Sequence, residues 1–467
     1  MGASLEIKSS KNIKNYLLEW YRDILKVWKS SYLKNLSITG LGVGLGSVIS
    51  LVTSPIISRI FSPEAYGIAG LYANILSYLA LAGSLMLPTG IVVIQNPRKL
   101  YRLLAGLKVL WILTFLLSIL LVILIYPFLS GWLDYPSIRI WIWLLPFGLL
   151  ASQIGSVIEA LNVRGSQFGL NVKINLTNSI IGRAITIIGG WSTGGHYLAI
   201  ILSSFIGVFV AVCGQAKSAV LRWWRIKPSW RALKQSVKEF AYYPLYMLPG
   251  NVIGLLALSA PFLVFSFLYS PALGGVYLFT ENILAAPFRL ASKAITPVYL
   301  QKISTLFHSS PRAFRQLTIT TNFALFGAGL FPYAILTVWA PEIFTYVFGA
   351  EWWEGGVMAQ YLSFAILFRM SSSPLSGVYR VAMAEKMSLL TQIVMFFTRT
   401  IPLAVGLIWF TFYQALLMFA IGSLMGYLFH FYQLCKLGSL PFFKSVGIQF
   451  LIFGAMCLLL VIGKSFF

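Results

Sequence analysis

The chain has 467 residues, 58% hydrophobic and only 10% charged, with a mean hydropathy of +0.82. A soluble domain carries about 25% charged residues, so a soluble fold is excluded. Its net charge of +23, from 35 Lys and Arg against 12 Asp and Glu, would suggest nucleic acid in a soluble protein. In so apolar a chain the same excess is expected on cytoplasmic loops, where basic residues set membrane topology.

Residues 1–35 form a basic segment. Within it Tyr16, Leu17, Trp20, Ile24, Val27 and Trp28 recur at helical spacing among Lys and Arg. That pattern fits a helix lying on an anionic membrane surface, or a loosely ordered basic tail. No cleavable signal peptide is expected, because the first apolar run is too long for one. Apolar runs then occupy roughly 36–60, 66–94, 103–129, 138–160, 170–190, 196–216, 242–268, 273–300, 317–340, 355–379, 388–410, 412–435 and 443–463. A membrane helix needs about 20 such residues, so thirteen spans are expected. They divide into an N-lobe (36–216, six spans), a basic linker (217–241), a C-lobe (242–436, six spans) and a last span within 437–467. The expected fold class is an all-α polytopic membrane protein.

The lobes share an internal repeat. Ser62, Pro63, Gly67, Asn74, Ile75 and Leu76 return as Ser270, Pro271, Gly275, Asn282, Ile283 and Leu284, all 208 residues later. Each copy is a Ser-Pro turn between two apolar runs. Six crossings separate the copies, so the halves are expected to be parallel repeats about an axis along the membrane normal, with a cleft between them.

Loop charge tests this count. With the N-terminus inside, 27 of the 35 basic residues fall on inner segments and three (Arg59, Arg139 and Lys464) on outer ones. The outer segments also hold Glu64, Asp134, Glu342, Glu351 and Glu354. So uneven a division supports the topology and leaves no charge that calls for nucleic acid.

Five basic residues remain, all inside spans: Arg183 in the fifth, Arg289 and Lys293 in the eighth, Arg369 in the tenth and Arg399 in the eleventh. Glu281 joins them in the eighth. A charge at bilayer depth costs at least about 2.5–3.5 kcal/mol, so these side chains must face a bundle interior or a wet cavity. Lys293, near the inner edge, is expected to snorkel. One acid can neutralise only one arginine, so an electropositive hollow between the lobes is expected. Guanidinium clasps phosphate bidentately, which points to an anionic headgroup such as a pyrophosphate. Arg59, followed by Glu64 across the turn, is a candidate gate contact or a local ion pair. Pro287 and Pro297 are expected to interrupt the eighth helix. Pro55, Pro88, Pro249 and Pro261 are candidate kinks. Trp132, Trp141, Trp143, Trp223, Trp224, Trp352 and Trp353 sit at run ends, as interface belts do. Cys213, Cys435 and Cys457 lie in apolar runs without paired spacing, and the three histidines are scattered, so neither a metal site nor a catalytic centre is expected.

The stretch Pro55-Ile56-Ile57-Ser58-Arg59-Ile60-Phe61-Ser62-Pro63-Glu64-Ala65-Tyr66-Gly67 resembles the first-to-second helix signature of the Wzx-type oligosaccharide-lipid flippases. These belong to the polysaccharide transporter family of the MOP exporter superfamily. Ala286-Pro287 through Ala294-Ile295-Thr296-Pro297 is similar to that family's eighth-helix pattern. The likeness covers most of 36–436; the basic N-terminal extension and the thirteenth helix depart from its commoner twelve-helix layout.

The resemblance implies two six-helix lobes and transport of an undecaprenyl-pyrophosphate-linked sugar repeat from the inner to the outer leaflet of a bacterial cytoplasmic membrane, for cell-surface polysaccharide. Movement would come from the lobes rocking about the cleft. Arg183, Arg289, Arg369 and Arg399 would hold pyrophosphate or acidic sugar, and Glu281 would take a coupling H+ or Na+, with no other cofactor. The implied partners are the lipid-linked oligosaccharide and membrane lipids, with a polymerase and a chain-length regulator alongside a monomeric carrier. Rival readings are a lipid II-type flippase, a MATE-like drug exporter and, from a different class, a polytopic glycosyltransferase or polymerase. The outer segment 341–354 offers little room for an enzyme's site, and exporters of cationic drugs use intramembrane acids, which are scarce here.

Overall fold

The computed structural model describes residues 31–94, 96–132, 141–165, 167–214 and 225–465. The surface helix expected at 15–30, together with Asp134, Arg139, Trp223 and Trp224, lies outside these residues. Every regular element among the described residues is helical. Thirteen helices are 17 residues or longer, one for each apolar run: α1 Ser31–Ile60, α2 Pro63–Ser84, α3 Pro97–Trp132, α4 Leu145–Arg164, α5 Phe168–Thr193, α6 Leu198–Gly214, α7 Leu248–Leu268, α8 Pro271–Ser309, α9 Pro311–Phe348, α10 Trp353–Ser372, α11 Glu385–Trp409, α12 Phe412–Gly438 and α13 Phe442–Lys464. Eight of them are long and apolar enough to cross a membrane on length and composition. Among the other five, α5, α8 and α10 carry Arg183, Glu281 with Arg289, and Arg369. These are the helices that must turn part of their surface to protein rather than lipid.

Local chemistry sets the helix starts. Ser62 caps α2 by accepting from the Ala65 N–H at 3.2 Å, and Ser270 caps α8 by accepting from Leu273 N–H at 3.1 Å. Pro63 and Pro271 follow at the first helical position, where a missing N–H costs nothing. The repeat therefore encodes two helix starts with the same cap and the same proline. These two starts pack against each other. A Cβ on Gly67 would lie 1.8 Å from the Pro271 carbonyl oxygen, and one on Gly275 would lie 1.9 Å from that of Pro63. Only glycine permits so close a backbone approach, and the reciprocity is that of a two-fold relation between α2 and α8.

Further along, the two helices diverge. α2 stops at Ser84, and Leu85 and Met86 take left-handed φ of 50° and 56°. A 3₁₀ turn, Leu87–Thr89, and a short helix, Gly90–Val93, follow. Leu87 and Ile91 are buried, and Arg164 donates to the carbonyls of Ile91 (2.9 Å) and Ile94. Burying two such side chains outweighs about 1–2 kcal/mol of strain at each left-handed residue, so the break is firmly held. In contrast α8 continues unbroken through Pro287 and Pro297 to Ser309, and the interruption expected there does not occur. Arg289 donates to the Asn282 carbonyl in the turn that Pro287 loosens, and neighbouring helices support the rest.

Residues 225–240 lie along the start of α3. Ser229 N–H donates to the Ala105 carbonyl (3.3 Å), Lys108 to the Ile226 carbonyl (2.7 Å), and Glu239 pairs with Lys99 and Arg102. The short helix Trp230–Glu239 thus belongs to the N-terminal half. At the other end of the chain α13 is fastened to α9 and α10. Gln449 donates to Asn322 Oδ1 (2.6 Å), Asn322 donates to the Ser371 carbonyl (3.0 Å), and Phe453 stacks on Phe364 at 4.5 Å.

Arg59, Glu342, Trp352 and Lys464 all gather at the end of the molecule that holds the Ser-Pro turns, where Lys464 pairs with Glu342 at 2.5 Å. Lys99, Arg102, Lys108 and Glu239 gather at the opposite, basic end.

Candidate functional site

Where the halves meet, a cavity of about 90 Å³ lies between α1, α5 and α8, with Tyr66 of α2 beside it. Helical spacing explains its walls. Ser47, Ser50 and Ser54 stand at i, i+3 and i+7 on α1, and Phe279, Asn282, Ile283, Ala286 and Arg289 share one face of α8. Arg183 reaches in from α5 and donates to the Ser50 hydroxyl. Arg289 enters from α8 and donates through Nη2 to the Asn282 carbonyl at 2.8 Å. One guanidinium therefore comes from each half, and the groups they touch are neutral oxygens. Neither guanidinium bonds to a carboxylate among the described residues, although Glu281 on the adjoining face of α8 acts on Arg289 through space. The hydroxyl, amide and guanidinium groups together form a donor-rich lining suited to phosphate oxygens.

Glu281 does not face this cavity. At 100° per residue, Glu281 and Phe288, seven positions apart, share a face of α8 turned into the C-terminal half. There Arg369 of α10 donates to Glu281 Oε1 at 3.1 Å, and its guanidinium lies 4.5 Å above the Phe288 ring. Both members are shielded, with side chains 17% and 19% exposed. Arg399 of α11 lies 5.0 Å over the ring of Tyr427 on α12 and donates to its hydroxyl. Of the four arginines expected to share one hollow, the structure brings Arg183 and Arg289 together at the seam. It sets Arg369 in an ion pair and Arg399 on an aromatic ring, both within the C-terminal half. The arc shared by Glu281 and Arg289 misled because α8 is itself the wall between seam and interior. Lys293 is exposed.

Near the Ser-Pro end the seam is closed over. Arg59 donates not to Glu64 but across the seam to the Tyr346 carbonyl, at 3.1 Å. Glu64 is exposed in the first turn of α2, where the helix N-terminus favours its charge. Trp352 is fully buried and donates through Nε1 to the Ser58 carbonyl at 2.9 Å. Its ring packs with Phe279 (4.1 Å) and Tyr66 (6.0 Å) directly beside the cavity lining. An interface belt was the expectation for Trp352, and the structure places it inside the protein. The α1 serines and Asn282 were also missed. The serine spacing within an apolar run and the place of Asn282 in the repeat were the available signals.

Among the described residues no group of three His, Cys, Asp or Glu side chains could hold a metal. Cys435 is a buried free thiol and Cys457 a half-buried one.

The architecture is similar to that of a lipid II flippase, MurJ, in an inward closed conformation: TM-score 0.68 at 15% identity, covering 90% of this chain and 97% of that one. It is also similar to an inward-facing multidrug resistance MATE family transporter of the MOP superfamily (TM-score 0.55, 14% identity, 86% and 98%). A Vibrio cholerae MATE transporter matches at a TM-score of 0.52 (13% identity, 86% and 97%). At such identities the likeness establishes the fold alone, which this chain shares with these transporters. Comparison with curated protein sequences finds no match. The family model described as polysaccharide biosynthesis protein matches residues 56–355, and the chain belongs to that family.

Proposed function

We propose that this protein is a flippase that carries an undecaprenyl-pyrophosphate-linked oligosaccharide from the cytoplasmic to the outer leaflet of a bacterial cytoplasmic membrane, for cell-surface polysaccharide synthesis. One observation carries the reading: Arg183 and Arg289, one from each half, meet over serine and amide oxygens in a cavity at the seam. Charges so costly at bilayer depth are retained where an anion can occupy them. Family membership and the transporter fold agree with transport of a polysaccharide precursor, and neither favours an enzyme. A cavity of about 90 Å³ holds a few waters and no glycosylated pyrophosphate, so the halves must part for loading. The prenyl tail would stay in the bilayer.

The basic end faces the cytoplasm in this reading, since it gathers most of the loop cations. Glu281 is the coupling candidate: a proton there would release Arg369 and leave the C-terminal half one charge more positive, better able to receive an anion. A monomer that hands its product to a polymerase and a chain-length regulator completes the proposal.

The test is flipping of a labelled lipid-linked oligosaccharide in proteoliposomes, with lipid II and a cationic dye as competitors. Movement of the oligosaccharide lipid is expected. Transport of the dye with no movement of either pyrophosphate lipid would overturn the proposal, and preference for lipid II would reassign the cargo.

A further inference from the structure

We infer that Trp352 and Arg59 form a hydrogen-bonded latch that keeps the Ser-Pro end shut while the seam cavity loads from the basic end. Hydrogen bonds from described side chains join the halves at Arg59, Trp352 and Tyr78, and Tyr66 bonds to Asn282 beside the cavity. Two of them, Trp352 Nε1 to the Ser58 carbonyl at 2.9 Å and Arg59 Nη2 to the Tyr346 carbonyl at 3.1 Å, lie at the Ser-Pro end. Another, Tyr78 with Ser259, lies about 22 Å further along α2, at 1.5 Å per residue.

The two latch bonds run in opposite senses, each half donating once and accepting once. Both acceptors are carbonyls in the last turn of a helix, Ser58 of α1 and Tyr346 of α9, and such carbonyls lack intrahelical partners. With the end closed these carbonyls are satisfied by Trp352 and Arg59. With the end open they would reach water. The exchange of partners makes the latch reversible, which a buried ion pair at this position would not be. Beneath it the α2–α8 contact at Gly67 and Gly275 leaves no room for a side chain, so the end closes backbone to backbone. Phe279 and Tyr66, packed on Trp352, also line the cavity. Breaking the latch therefore removes the cavity's cover. This deepens the flippase reading by naming what controls release, and rests on that reading only for its cargo.

The test is the distance between spin labels at Ser192 and Trp409, exposed positions on opposite halves at the Ser-Pro end, in the full chain with Cys213, Cys435 and Cys457 replaced by serine and reconstituted in liposomes. The unmutated latch should give one short-distance population. Trp352→Phe, which removes the N–H and keeps the ring packing, and Arg59→Gln, which alters an exposed side chain, should each raise the long-distance population three- to tenfold. Gly67→Ala should raise it further, by wedging the backbones apart. Tyr78→Phe should leave it unchanged. Lower thermal stability in Trp352→Phe and Arg59→Gln with an unchanged distance would reduce Trp352 and Arg59 to packing roles and overturn the latch, as would equal widening by Tyr78→Phe. Because the distance is read without cargo, a working latch in a protein that moves no oligosaccharide lipid would sink the flippase reading alone.

Discussion

Arg183 and Arg289 turn their charge toward hydroxyl and carbonyl oxygens at the seam, whereas Arg369 directs its charge to Glu281 and Arg399 lies against the Tyr427 ring. The four arginines should therefore differ in function. Arg183→Gln and Arg289→Gln are each expected to lower flipping at least tenfold with folding intact, because two donors and a charge are lost where an anion would sit. Lysine at either position should restore part of the rate, since it keeps the charge and loses the fork. Arg399→Gln should have a smaller effect on flipping. Initial rates in proteoliposomes separate the three. Glu281→Gln should instead cost stability, on the order of 3 kcal/mol, by leaving Arg369 charged and unpaired. The double substitution Glu281→Leu with Arg369→Met should recover most of that in a denaturant titration. If the pair also couples transport, flipping by the double variant will not respond to a pH gradient.

Helix ends carry the architecture at the next scale. Ser62-Pro63 and Ser270-Pro271 start α2 and α8 in the same way, and the glycines five residues after each serine let the starts touch. Replacing Ser270 by Ala should lower stability by about 1 kcal/mol through loss of the cap, measured as a shift in thermal unfolding, with Ser62→Ala close behind. The thirteen helices, their order and these caps were legible in the chain, because apolar length and turn chemistry are local properties. A bend at Pro88 was legible as well, but not the full break at Leu85 and Met86 that precedes it. Pro88 is visible in the sequence, yet α8 carries two prolines and runs on. The difference lies in what each helix packs against: buried Leu87 and Ile91, with Arg164 on their carbonyls, hold one broken, whereas bundle packing carries the other through.

Over the whole molecule, charge is sorted by end. Lys99, Arg102, Lys108 and the 225–240 segment crowd one end, and Glu342, Lys464 and the Ser-Pro turns the other. Single cysteines at Lys227 and at Tyr346 should accordingly be labelled by an impermeant thiol reagent from opposite sides of the membrane, Lys227 from the cytoplasm. Labelling of both from one side would contradict the crossing count.

The all-helical class, the order of the helices and the internal repeat follow from the residues alone, since each depends on hydropathy and counting along the chain. Of the thirteen spans expected, eight helices are long and apolar enough to cross a membrane. The presence of cations within apolar helices follows as well. Their division between seam and interior does not, because it depends on which side of α8 a side chain leaves and on what stands opposite. Eight positions, about 80° around α8 at 3.6 residues per turn, place Arg289 before an open cavity and Glu281 before an arginine 88 positions away. Only the packing of the two halves decides that, as it decides that Trp352 closes the seam rather than resting at the membrane surface.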